Sequence, residues 1–152
     1  MALDHTTIAA LRRTPVVGLL EDDALRVIAN VADARRLRPG EVLFRQGDRS
    51  DGGYVVTSGA ISVAREGAAE EAALLGPGSL IGEVALFLRM QRPATAIARE
   101  PSSVLRLSPT LMKRVLQEYP SAADGMAQVL SRDLEGLAAW LTRVERLFEG
   151  QA

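Results

Sequence analysis

The stretch Gly53-Tyr54-Val55-Val56-Thr57-Ser58-Gly59-Ala60-Ile61-Ser62-Val63-Ala64 holds two short runs of apolar and β-branched residues, 54–57 and 60–64, parted by Ser58-Gly59. Runs of this length and composition read as strands, and the serine and glycine between them read as a turn. Ile61 and Val63 alternate with Ser62 and Ala64, which predicts a strand with one buried face. The same texture extends in both directions. Residues 42–44, 72–75, 95–98 and 104–107 are further short apolar segments, and Gly40, Gly47, Gly53, Gly59, Gly67, Gly76 and Gly78 punctuate them. Many short strands joined by tight turns predict a roll, barrel or sandwich over residues 39–107.

Helical patterns flank this region. Residues 1–38 read as helical, with Thr6 or Asp4 placed to cap a helix over 8–13 and Asp22 placed to cap another over 24–31, where Leu25, Ile28 and Ala32 share a face. After the strands, Ser108-Pro109 is an N-cap followed by proline at the first helical position, and Tyr119-Pro120-Ser121 ends that helix and caps the next. The last helix is expected to run from about residue 122 to 148. Its residues Ala127, Leu130, Leu134, Leu137, Leu141, Val144 and Phe148 are spaced alternately three and four apart. That stripe leaves two compatible roles open, covering the β core or making a homodimer contact.

Composition removes several classes of function. With 152 residues and 47% hydrophobic content, one domain spanning 1–152 is expected. Lys+Arg number 18 against 19 for Asp+Glu, so no broad positive field invites nucleic acid. The absence of cysteine removes thiolate nucleophiles and thiolate metal sites, and His5, the only histidine, cannot build a histidine metal cluster. No run approaches the roughly 20 apolar residues of a membrane span, and the N-terminus lacks a secretory pattern. A cytoplasmic, non-catalytic protein without a metal or cofactor is expected.

The chemistry concentrates in Leu80-Ile81-Gly82-Glu83-Val84-Ala85-Leu86-Phe87 and, after a short turn, Gln91-Arg92-Pro93-Ala94-Thr95-Ala96. Gly82 permits close backbone approach, and residues 84–87 can form one helical turn whose free N–H groups suit an anion. Arg92 offers a charged fork for phosphate oxygens, while the Glu83 carboxylate accepts from a sugar hydroxyl. A ribose phosphate fits such a set. The alternative is an ion pair between Glu83 and Arg92 across a turn, with Gly82 merely ending a strand.

These residues, in this order and at this separation, resemble the phosphate-binding cassette of cyclic-nucleotide-binding domains, the family of the catabolite activator protein, the kinase A regulatory subunit and cyclic-nucleotide-gated channels. Residues 37–48, LRPGEVLFRQGD, and 54–59, YVVTSG, are similar to that family's opening strands. The resemblance implies an α+β fold: a double-stranded β-helix, a jelly-roll-like β-roll, with the cassette at 82–96, N-terminal helices before it and two C-terminal helices over 108–149. It further implies that Arg92 clamps the cyclic phosphate and Glu83 takes the ribose 2′-hydroxyl. The backbone of Gly82, Ala85 and Ala94 would complete the cradle, and Val63, Ala73 and Val84 would line the sugar and base. Leu134, Leu137, Ala138 or Leu141 of the last helix would cover the base as a lid, with Arg132 and Trp140 as further candidates.

Pro93 departs from the family pattern. The residue after the phosphate arginine usually donates a backbone N–H to the phosphate, and proline has none. A hydrogen bond to a charged acceptor is worth about 1.5–3 kcal/mol, so its loss weakens binding roughly tenfold to a hundredfold. Proline also cannot supply the hydroxyl that cGMP-selective relatives often carry there, which favours cAMP over cGMP as ligand. The rival expectation is a degenerate β-roll that serves as a protein-interaction scaffold. DNA binding by this chain alone is not expected, because the sequence stops at Gly150-Gln151-Ala152 with no room for a helix-turn-helix after the lid helix. The sequence names no effector.

Overall fold

The computed structural model describes residues 5–66 and 73–120. Helix α1 (His5–Arg13), a 3₁₀ turn (Val17–Leu19) and helix α2 (Asp22–Val31) come first. Strands follow: β1 (Asp33–Leu37), β2 (Val42–Phe44), β3 (Gly53–Ser58), β4 (Ile61–Ala64), β5 (Ala73–Leu75) and β6 (Leu80–Ile81). A second 3₁₀ turn (Val84–Leu86), β7 (Thr95–Ala98), β8 (Ser102–Leu107) and α3 (Pro109–Glu118) complete the described order. The strands form two four-stranded antiparallel sheets, ordered β1-β8-β3-β6 and β2-β7-β4-β5.

The first sheet is covered on both faces, which is why β3 shows no alternation. Tyr54 and Val56 join Ile81 and Val104 in a cluster that also takes Phe44, Ile61, Ala96 and Ala98 from the second sheet. Val55, Leu105 and Leu107 turn the other way, onto Leu11, Leu25, Ile28, Met112 and Val115 of the helices. The order is therefore helices, first sheet, second sheet. The side chain of Ser108 accepts from Leu111 N at 3.1 Å, the cap expected for α3, with Pro109 in the first turn.

Three expectations are corrected. Residues 33–37, read as the end of a helical segment, form β1: Asp33-Ala34-Arg35-Arg36-Leu37 has no helix-breaking residue, but its backbone pairs with β8 from Asp33↔Arg106 to Leu37↔Ser102. Tertiary pairing overrides local propensity there. The cap of α2 falls on Glu21, which makes no side-chain cap hydrogen bond, while Asp22 sits in the first turn and bonds to Arg12. In β4, Ser62 is buried as well as Ile61, and its hydroxyl lies 3.5 Å from Arg99 Nη2. Val63 is half-buried against the inter-sheet cluster. The proposed stripe of the last helix lies outside the described residues, as do Arg132, Leu134, Leu137, Ala138, Trp140 and Leu141.

Candidate functional site

Two loops are fastened together at one end of the sheets. Ser50 N donates to Met90 O at 2.6 Å and Met90 N donates to Ser50 Oγ at 2.9 Å. Gly47 N donates to Arg92 O at 2.8 Å, and Arg92 N donates to Asp48 O at 2.7 Å. Gln46 N donates to Thr95 Oγ1 at 2.9 Å. The backbone of Arg92 is thus fixed from both sides, and its side chain takes one direction from there.

That direction is inward. The Arg92 side chain is only 3% exposed, and its Cζ lies 4.2 Å from the centre of the Phe44 ring and 5.5 Å from that of Tyr54. Nη2 donates to Gly52 O at 2.7 Å and to Asp51 Oδ1 at 3.2 Å. Nη1 faces Gly82, where a Cβ would stand 2.9 Å from it; Gly82 also has φ +83°, a conformation that disfavours any other residue. Burial lowers the Arg92 pKa below its ordinary value, against the pull of Tyr54, Asp51 and Asp48 toward the charged form. Two of its five N–H groups are committed to protein acceptors among the described residues, and Nη1 lies against Gly82.

Asp51 ties this cation to the edge of the first sheet. It accepts from Tyr54 Oη at 3.1 Å and lies 3.5 Å from Arg106 Nη1, and Arg106 in turn approaches Asp33 of β1 at 3.6 Å. Arg35 Nη1 donates to Tyr54 Oη at 3.4 Å. Burial, then the Asp51 charge, pushes the Tyr54 phenol above its usual pKa.

The cassette residues fall around Arg92 as follows. Val84 opens the 3₁₀ turn Val84–Leu86, a residue shorter than the 84–87 turn read from the sequence, and Leu86 N closes it onto Glu83 O at 3.3 Å. Ala85 and Ala94 are buried and Pro93 is exposed. Glu83 is exposed and forms no ion pair among the described residues, so the Glu83–Arg92 pair carried by the scaffold alternative is overturned: Asp51 is the acid that Arg92 meets. Val63 stands opposite Ala73 on β5 and Ala96 on β7, and Ala96 stands opposite Phe44, giving one row across the second sheet. Ala73 itself is exposed. Asp51, Gly52, Phe44 and Tyr54 were not singled out as site residues. Nothing in Ser50-Asp51-Gly52-Gly53 distinguishes Asp51 from Asp48 in an ordinary polar turn.

Gly82 abuts the buried Arg92, a short helical turn lies between them in sequence, and the family model "Cyclic nucleotide-binding domain" matches residues 34–119. The chain belongs to this family. The domain's relatives include the "Cyclic AMP receptor protein" of Thermus thermophilus, 36% identical over 104 residues, covering 66% of this chain and 48% of that protein. The "cAMP-dependent protein kinase regulatory subunit" of Yarrowia lipolytica is 31% identical over 99 residues, 65% of this chain and 26% of that one. The chain thus spans about half and about a quarter of these two relatives. Among solved structures, the N-terminal domain of a transcriptional regulator from Streptomyces coelicolor matches with a TM-score of 0.77 and 30% identity, over 86% of this chain and 92% of that one. This is a cyclic-nucleotide-binding regulatory domain. No described helix is long and apolar enough to cross a membrane, and among the described residues no group of acidic or histidine side chains could hold a metal ion.

Proposed function

We propose that this domain is a cAMP sensor in which Arg92 takes the cyclic phosphate, Glu83 the ribose hydroxyl, and a shift of the C-terminal helices reports the bound state. The carrying observation is the buried Arg92, whose cationic form is desolvated yet only partly paired, since the one acid in contact with it among the described residues, Asp51, is half exposed. A buried cation with uncommitted N–H groups is stabilised by an arriving anion far more than a solvated one would be. Glu83 is exposed and follows the Gly82 that abuts Nη1, which leaves its carboxylate free to accept from a sugar hydroxyl. The backbone of Gly82, Val84, Ala85 and Ala94 would hold the phosphate and sugar, with Val63 and Ala73 along the apolar side and Leu137 covering the base.

Preference for cAMP rests on Pro93 and on the name of the Thermus relative. Signalling rests on packing: Leu86, at the end of the cassette turn, is fully buried with Met112 and Val115 of α3. The ligand acts through its differential affinity for two arrangements of these helices. A homodimer through the last helix and a cytoplasmic setting belong to the same reading.

The test is a titration of the purified chain with cAMP and cGMP, read by calorimetry and thermal unfolding. A ligand at about 100 times its dissociation constant adds about 2.7 kcal/mol, roughly 5–10 °C in Tm for a chain of this size. A shift with cAMP that exceeds the shift with cGMP supports the reading, and no shift with either removes it. In that event the scaffold alternative stands, on Pro93 alone.

A further inference from the structure

Strand β2 contains an irregularity that changes what lies under Arg92. Val42 pairs with Ile97, and in an unbroken antiparallel ladder Leu43 would then face Ala96 and Phe44 would face Thr95. Instead Phe44 pairs with Ala96, with a register shift between Val42 and Phe44. An extra residue in one strand lets two consecutive side chains face the same way. Leu43 and Phe44 are indeed both buried in the inter-sheet cluster, 6% and 9% exposed, where a regular strand would have sent one of them outward. The bulge brings the Phe44 ring beneath the guanidinium, 4.2 Å from Cζ, with the Tyr54 ring 6.0 Å from it at 31°.

We propose that Phe44 is the positioning residue of the ligand-binding arginine: its ring holds the Arg92 guanidinium flat between an aromatic floor and the Gly82 roof before any anion arrives. The floor matters because the side chain's hydrogen bonds act on one corner only. Nη2 is tied to Gly52 O and Asp51, a hinge about which the rest of the group could swing. An aromatic face below removes that freedom through dispersion and through attraction of the cation to the ring quadrupole. A binding group that already occupies its bound orientation binds more tightly by the reciprocal of the fraction so oriented. The inference deepens the proposed cyclic-nucleotide site and rests on that reading for its effect on affinity, but not for the stacking itself.

The experiment replaces Phe44 by Leu, which keeps apolar bulk without a π face, and by Tyr, which restores the face. A second series places 4-fluoro-, 3,5-difluoro- and 3,4,5-trifluorophenylalanine at position 44, weakening the face at nearly constant shape. Two quantities are read. The first, without nucleotide, is the ring-current shift of the Arg92 side-chain protons by NMR. It is expected to be large in the native protein and in Phe44→Tyr and to fall in Phe44→Leu to what the more distant Tyr54 ring contributes. The second is cAMP affinity, expected to fall about tenfold in Phe44→Leu, to recover in Phe44→Tyr, and to decline stepwise with fluorination. Arg92 resonances without a ring-current shift in the native protein overturn the proposal whether or not cAMP binds. A native-like affinity in Phe44→Leu, or a flat fluorine series in a protein that binds cAMP, overturns it as well. If Phe44→Leu does not fold, the fluorinated series decides. Failure of the native chain to bind any cyclic nucleotide removes the proposed function, while the NMR result still decides the stacking.

Discussion

Replacing Arg92 by Met separates the cost of keeping a buried cation from its use. Met has similar length and no charge, and its thioether packs well on an aromatic ring. The variant forfeits two hydrogen bonds from a charged donor, at Gly52 O and Asp51, each about 1.5–3 kcal/mol, and the cation–ring contact, about 2 kcal/mol. It is relieved of desolvating a guanidinium, an effective penalty of several kcal/mol. Asp51 is not stranded, because Tyr54 and Arg106 remain beside it and it is half exposed. These contributions offset in part, so urea unfolding is expected to change by no more than about 3 kcal/mol. Binding has no such compensation. An unpaired phosphate against a dry wall costs about 2–5 kcal/mol, roughly 30-fold to several thousand-fold in cAMP affinity by calorimetry. Native affinity in Arg92→Met would refute the placement of the phosphate. A collapse of stability with affinity retained in the residual folded fraction would make Arg92 a structural cation instead.

Gly82→Ala forces an alanine into φ +83° and sets its Cβ 2.9 Å from Arg92 Nη1. The backbone cost is about 1–2 kcal/mol, a Tm drop of roughly 2–8 °C, and because the displaced guanidinium is the proposed ligand group, cAMP affinity is expected to fall by more than that stability loss explains. Equal stability and affinity to the native protein would remove the roof from the site. Ser108→Ala deletes the cap of α3 and is the control: about 1 kcal/mol of stability, with cAMP affinity unchanged. Tyr54 gives an alkaline signature. Its phenol is raised by burial and then by Asp51, so above about pH 10 unfolded tyrosine loses a proton that the folded protein keeps. The folded state then binds more protons, and stability falls as pH rises through the folded value. Tyr54→Phe should show a shallower decline in urea midpoint between about pH 9 and 11; an identical decline would mean the phenol is not held neutral.

Legibility in the sequence followed how local each determinant is. Strands 42–44 and 95–98 have the bounds read from composition, and the Ser108-Pro109 cap was visible because a cap is a contact within four residues. Strand β1 was not legible, since the sequence DARRL carries neither alternation nor β-branched residues and is a strand only because β8 pairs with it. Strand β6, two residues long, is below any periodicity. At the site, Gly82 and Arg92 stood out because their chemistry is unusual for a strand end. Asp51 and Phe44 did not, because one looks like any turn aspartate and the other like any strand aromatic. What assigns them a role is a loop-to-loop ladder over forty residues of separation and a bulge, neither of which leaves a local mark.

Under the proposed function, the same long-range construction offers a path from an anion at Arg92 to the far side of the first sheet. The segment from Gly82 to Leu86 has two faces that belong to different cores. On one, Gly82 abuts the guanidinium; on the other, Leu86 is fully buried among Leu11, Met112 and Val115. Between them the segment rests on the backbone of β3, so closely that a Cβ on Gly53 would fall 2.7 Å from Leu86 Cδ2 and 2.9 Å from Gly82 O. At interior packing density there is no slack in such a contact. A ligand that draws the turn toward Arg92 must therefore slide Leu86 against α3 or lift it from Gly53, and either displacement reaches the helical layer through van der Waals contact.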